Sequence, residues 1–187
     1  KSINNVCLIY HIELKQLFAM KIFSGENEKK LYDRERLNYQ RIRHLFFPKY
    51  FGTGEHHSYK TIVIEYIRGK SIDKIEEMNL NEQNKIKIIF QLMIGIEYLH
   101  QNGFIYRDLK PDNIFITNEK DSICIIDFDR MIETDIEYQY TNDFQDNGFT
   151  APELLKGNAF SNKVDIYSIG KIIETVFSNE KSINSEY

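Results

Sequence analysis

The apolar residues at the start of the chain come in short, β-favouring runs parted by polar pairs. Residues 6–14 are rich in β-branched and apolar side chains, Lys15-Gln16 interrupts them, and 17–23 resumes, which predicts two strands. From 26 to 44 strong helix formers take over, with the acids early, as the helix dipole favours. Leu31, Glu35, Tyr39 and Ile42 recur there at helical spacing and predict one stripe facing the strands. Phe46-Phe47-Pro48 ends that helix. Tyr50-Phe51-Gly52 predicts a short strand, 54–58 a turn, and 61–69 a further strand. Ser71 is placed as N-cap of a short helix over 72–78. A long helix is predicted over 82–101, with Ile86, Ile89, Phe90, Met93, Ile96, Glu97 and His100 on its 3.6-residue period and Gln101-Asn102-Gly103 as its stop. Beyond a polar loop at 105–113, Ile114-Phe115-Ile116 and the apolar run 123–126 read as strands, 131–150 as an irregular acidic segment, and 163–177 as a last helix.

Composition narrows the class. At 187 residues, 42% hydrophobic and 28% charged, the chain fits a folded protein with a real core. A net charge of -4 supplies no basic field, so nucleic acid is not an expected partner. Two cysteines, Cys7 and Cys124, do not make a disulfide framework and suit a reducing, intracellular compartment; Cys124 is expected as a buried thiol. No run reads as a membrane span or a signal peptide, so no membrane partner is expected. His56 and His57 adjoin without a further ligand at zinc spacing, which predicts a solvated turn.

Two places carry candidate chemistry. Glu35 is an acid on an apolar stripe, and its burial without a cation would be costly. Lys21 is the first choice of cation; Glu28 is the runner-up to Glu35 as the acid paired with Lys21, but lies too near it in sequence to sit mid-helix. The loop at 105–113, held between a helix and strands, can bring Asp108, Lys110 and Asn113 together. Those residue types suit a base for a hydroxyl, a phosphate contact and a metal ligand. Any one of them alone would read as a charged surface turn.

The loop Tyr106-Arg107-Asp108-Leu109-Lys110-Pro111-Asp112-Asn113 resembles the catalytic loop of the eukaryotic protein kinases. Four further stretches resemble that family in the same order: Phe18-Ala19-Met20-Lys21 its Val-Ala-Ile-Lys strand, Asp127-Phe128-Asp129 its Asp-Phe-Gly, Ala151-Pro152-Glu153 its closing triplet, and 163–170 the central helix of its large lobe. The resemblance implies an α+β, two-lobed kinase-like fold. A small β-rich N-lobe with the start of the hinge would span 1–67, and a mainly helical C-lobe 68–187, together one partial domain incomplete at both ends. No glycine-rich loop stands in 1–5, and no Arg follows to pair with Glu153.

The same resemblance implies a serine/threonine kinase that moves the γ-phosphoryl group of ATP to a protein hydroxyl with Mg2+, in the cytoplasm. Lys21, pinned by Glu35, would orient the α- and β-phosphates. Ile64 would be the gatekeeper, backbone groups of Glu65 and Ile67 would meet the adenine edge, and Phe115 would also contact the nucleotide. Asn113 and Asp127 would hold magnesium, Asp108 would accept the hydroxyl proton, Lys110 would steady the moving phosphate and lean toward Ser/Thr specificity, and Asp165 would brace the loop. The chain departs from the family at Asp129, which stands for Gly and is expected to tolerate its backbone angles, at Asp146 for Thr, and at Phe149 for Tyr. Tyr106 for His is also found in active members. Arg107 resembles the family's phosphate-pairing arginine, with Thr134, Tyr138, Tyr140 and Thr141 as candidate acceptors, but the expectation is a segment ordered by its own acids, Glu133, Asp135, Glu137, Asp143 or Asp146 neutralising Arg107 unmodified. The alternative reading is a pseudokinase that binds nucleotide or a partner without turnover. A small-molecule kinase is a weaker third.

Overall fold

The structure, a computed structural model, describes residues 5–24, 28–117, 122–134, 144–158 and 160–178. β-Branched and aromatic residues suit a half-buried pleat, and β1 (Asn5–His11) and β2 (Gln16–Phe23) pair antiparallel. Their turn takes residues 12–15, with Lys15 at φ 51, so the first strand stops at His11 rather than at 14. β4 (Tyr59–Glu65) lies between β2 and β3 (Tyr50–His56) in an antiparallel sheet of order β1-β2-β4-β3. β3 is longer than expected and runs through Gly54. The turn shrinks to His57-Ser58, both left-handed at φ 47 and 68, the backbone of a two-residue hairpin turn.

α1 (Lys29–Arg41) packs on this sheet, and the Tyr32 ring meets Phe23 edge-on at 5.4 Å. Its inward stripe contains Glu35 and Tyr39 as expected, but Tyr32 takes the buried place expected for Leu31, and Asn38 joins it. After the segment 66–68, β5 (Gly69–Ser71) crosses onto β7 (Ile114–Thr117), which pairs with β8 (Ser122–Ile125). A Cβ at position 69 would stand 2.1 Å from the Ile116 carbonyl oxygen, so the crossing needs glycine. A 3-10 helix follows at Ile72–Met78. Ser71 holds its N-cap position, yet its hydroxyl bonds the Asp73 carboxylate rather than a backbone N–H.

α2 (Glu82–Gln101) starts where Asn81 Oδ1 accepts the Asn84 amide at 2.8 Å and spans the predicted range. Its inward face differs from the predicted one. Ile88, Leu92 and Leu99 are buried with Ile89 and Ile96, whereas Ile86, Phe90 and Met93 are about half exposed or more. A helix apolar on nearly every side does not reveal its inner face by period alone. α2 packs between β8 and α4 (Lys163–Phe177), and one core runs from Ile62 and Ile64 of the sheet through Phe47, Leu92 and Phe128 to Ile172. β6 (Phe104–Ile105) pairs with β9 (Ile132–Glu133). Both belong, with Ala151, Leu154 of α3 (Pro152–Leu155) and Val164, to a second small cluster against which Phe144 and Phe160 pack. Among the described residues no helix is long and apolar enough to cross a membrane. The architecture is α+β, a sheet with one helix followed by a helical part.

Candidate active site

β2 carries Lys21 inward, opposite Val6 on β1 and Ile62 on β4, where only 5% of the residue is exposed. Its ammonium contacts the fully buried Glu35 carboxylate and donates to Asp127 Oδ1 at 2.8 Å. Glu28 instead accepts the Ser24 amide. Burial works to lower the Lys21 pKa, but the charges of Glu35 and Asp127 outweigh it and keep the ammonium protonated. Burial pushes the Glu35 carboxyl up to about 7, against the pull of Lys21, and Asp127 adds to the push. The pair therefore acts as a fixed cation with an acid behind it, one sheet strand and one helix away from the loops.

The loop after β6 is held from below. Asp165 of α4, wholly buried, accepts the Tyr106 amide at 2.9 Å and the Arg107 amide at 2.8 Å, and contacts His100 Nε2 at 2.8 Å. Tyr106 is itself buried and donates its hydroxyl to the Ile126 carbonyl; burial drives its pKa far up, so it remains a donor. Arg107 sits at φ 67, a left-handed conformation that costs about 1–3 kcal/mol for a residue with a side chain and persists only when its surroundings over-determine it. The two Asp165 bonds supply that constraint. Farther along, Asp108 Oδ2 accepts Lys110 Nζ at 2.8 Å and Asn113 Nδ2 at 3.0 Å, while Asn113 also donates to the Asp108 carbonyl at 2.9 Å. Burial works to lower the Lys110 pKa, but the hydrogen bond and charge of Asp108, with the charges of Asp127 and Asp129, together outweigh it and raise the pKa.

Asp127, two residues past the buried end of β8, is also left-handed at φ 68. The strained position is thus Asp127 rather than Asp129, for which unusual angles were expected. Phe128 is fully buried against Tyr39, Phe47 and Tyr106, with ring centroids 4.5, 5.6 and 6.4 Å away. Asn38 of α1 donates to the carbonyls of both Phe128 and Met131 at 3.1 Å, fixing the turn that aims Asp127. Sequence reasoning missed Asn38. The available signal was a second polar residue three positions after Glu35 on the same face.

One carboxylate oxygen each of Asp108, Asp127 and Asp129 lies within 4.8 Å of the other two. Asp129 Oδ1 is buried with no hydrogen-bond partner. Burial raises the Asp129 carboxyl to about 6, with the neighbouring Asp127 charge adding to it. Hard carboxylate oxygens, one of them orphaned, make a donor set that fits magnesium. Asn113, with its amide nitrogen on Asp108, keeps its oxygen as the atom it can offer to a metal.

Ile64 is buried on β4 opposite Ala19, Phe115 is half-buried on β7 opposite Cys124, and Ile67 lies half-buried in the segment 66–68. The Glu65 amide already donates to the Lys49 carbonyl at 2.8 Å, and its side chain accepts the Lys49 amide at 3.1 Å. A cavity of about 1220 Å3 borders the same segment, lined by Arg43, Phe47, Lys49, Tyr66, Arg68 and Cys124; Lys21, Asp108, Asn113 and Asp127 do not line it. Burial drives the Cys124 thiol pKa up, which leaves it an inert core group.

Of the acids expected to reach Arg107, Glu133 pairs with Arg41 of α1, and Asp146 Oδ1 accepts the Gly148 amide at 2.9 Å. Asp135, Glu137 and Asp143, like Tyr138, Tyr140 and Thr141, lie outside the described residues; the Thr134 amide donates to Gly103 O at 2.8 Å. The Arg107 guanidinium lies over Phe144 and Phe160, 5.4 and 5.5 Å from their centroids, and its Nε donates to the Arg130 carbonyl at 2.8 Å. Downstream, Asn147 Oδ1 accepts the amides of Phe149 and Thr150, and Ser168 of α4 donates to the Phe149 carbonyl. The segment is thereby fastened to α4.

The family model described as protein kinase domain matches residues 2–186. A "Probable serine/threonine-protein kinase 2" of Plasmodium falciparum is 32% identical over 146 residues, 72% of this chain and 27% of that protein. A probable myosin light chain kinase of Dictyostelium discoideum is 31% identical over 155 residues, 79% of this chain and 39% of that protein. Calcium-dependent protein kinase 4 of Plasmodium falciparum is 29% identical over 173 residues, 86% and 32% of the two chains. The chain spans well under half the length of each of these relatives.

Proposed function

The chain belongs to the protein kinase family, and from that premise we propose that it transfers the γ-phosphoryl group of ATP to a serine or threonine hydroxyl of a protein. The observation that carries this reading is the convergence of Lys21, Asp108, Asn113 and Asp127 from three separate segments, with Lys21 bridging Glu35 and Asp127. Asp108 takes the proton from the attacking hydroxyl, whose oxygen forms the bond to the γ-phosphorus as the bond to the ADP oxygen breaks. Lys110, already on Asp108, stands where it can offset charge on the transferring group. Lys21 holds the α- and β-phosphates, and the Ile64 to Ile67 stretch with Phe115 frames the adenine. Asn113 and Asp127 hold magnesium. When bound, that ion neutralises phosphate charge and aligns the oxygens in line. Serine or threonine as acceptor rests on Lys110 and on the relatives' names.

A second reading, nucleotide binding without turnover, draws on Asp129 and its added negative charge beside the phosphates. Incubating full-length protein with ATP and generic protein substrates decides between them. Phosphoryl transfer that disappears in Asp108→Asn supports the kinase. Magnesium-dependent ATP binding with no transfer supports the second reading.

A further inference from the structure

Asp129 is the member of the acid cluster to which the proposed reaction gives no task. Its Oδ1 is buried and meets no donor, although leaving a buried carboxylate oxygen bare is costly. One oxygen of this side chain lies within 4.8 Å of oxygens from both Asp108 and Asp127, a span that a single divalent ion can bridge. Lys21 already occupies Asp127 Oδ1, and Lys110 and Asn113 occupy Asp108 Oδ2, but neither lysine bonds Asp129.

We propose that Asp129 is an additional ligand of the divalent cation, and that the cleft therefore takes up its cation before any nucleotide arrives. The inference rests on the kinase reading above, in which Asn113 and Asp127 hold magnesium. Magnesium at phosphate sites is ordinarily bound by one or two carboxylates and completes its shell from phosphates and water. A further carboxylate supplies from the protein the charge that the phosphates otherwise bring. Glycine at position 129 would have no side-chain oxygen to give. Without the cation, the same carboxylate repels the phosphates, so cation and nucleotide binding become strongly and reciprocally coupled.

Manganese serves as the probe. It is titrated into nucleotide-free full-length protein, and the loss of the free-ion electron paramagnetic resonance signal is followed. The wild type should show one saturable site, weakened about 10-fold or more in Asp129→Gly, while a non-hydrolysable ATP analogue should restore much of the binding in the variant. Asp129→Asn keeps the shape and removes the charge. It should also bind the ion more weakly, and it decides the matter if the glycine variant fails to give a cooperative thermal transition. Equal nucleotide-free affinity in the wild type and the folded variants overturns the proposal. So does a wild type that binds manganese only with the analogue, an outcome that leaves the kinase reading standing. A wild type that binds no manganese with or without the analogue overturns both.

Discussion

At the scale of single residues, Lys21 and Glu35 make a cation and a carboxyl share a site with almost no water, and their titration should be visible in the stability of the protein. The Glu35 carboxyl, at about 7 when folded against 4.5 for the free side chain, holds its proton more tightly in the folded state. Its contribution is therefore most favourable below the free value and falls as pH rises through the folded one. Thermal unfolding of wild type and Glu35→Gln at several pH values checks this: the wild type should lose on the order of 1–3 kcal/mol relative to the variant between about pH 5 and about pH 8. Asn38 gives a second test. Asn38→Leu leaves the Phe128 and Met131 carbonyls without its amide and should cost about 1–3 kcal/mol in denaturant unfolding. Glu35 was legible in the sequence because an acid on an apolar stripe demands an explanation. Asn38 was not, because a neutral amide on a helix reads as solvated unless the carbonyls it serves, some ninety positions later, are known.

Elements were legible where punctuation was strong. Gly103 and the Asn81 cap bound α2 at its predicted ends, and α4 runs over its predicted range. What the sequence left open was rotation about the α2 axis, since its apolar residues spread around the helix and the choice is made by β8 and α4, both distant in sequence. Alanine substitutions read out that rotation. Leu92→Ala should cost about 2–5 kcal/mol, and Met93→Ala within about 0.5 kcal/mol of nothing, in equilibrium unfolding. The reverse order would restore the stripe expected from periodicity. The acidic segment after Asp127 was harder still. Its charges suggested a carboxylate for Arg107, and three of the five candidate acids lie outside the described residues; the rings of Phe144 and Phe160 over the guanidinium could not be foreseen, because no spacing rule links an arginine to aromatic residues thirty-seven and fifty-three positions away.

For the whole molecule, the site is a joint between two parts that fold around different elements. Lys21 comes from the sheet and Asp127 from the strand pair beyond the 66–68 segment, and Asn38 and Arg41 of α1 reach across to the Phe128 and Met131 carbonyls and to Glu133. Order along the chain made these partners predictable by likeness to a family, whereas their distances came only from the folded arrangement. If Asp127 and Asn113 hold the ion, ATP affinity measured by calorimetry should rise steeply with magnesium, and chelation should abolish the rise. Asp127→Ala should remove that dependence and weaken ATP by about 10-fold or more.

The crossing of β5 over β7 bears on how this sequence can drift. With 2.1 Å between a would-be Cβ at position 69 and the Ile116 carbonyl oxygen, any side chain there levers the 66–68 segment away from β7, the strand that follows Asn113. Lys70, the next residue, is exposed and carries no such constraint. In a saturation library selected for nucleotide binding, position 69 should admit glycine alone while position 70 accepts most residues. The pair thus forms a built-in internal control, one site closed to mutation beside one left open.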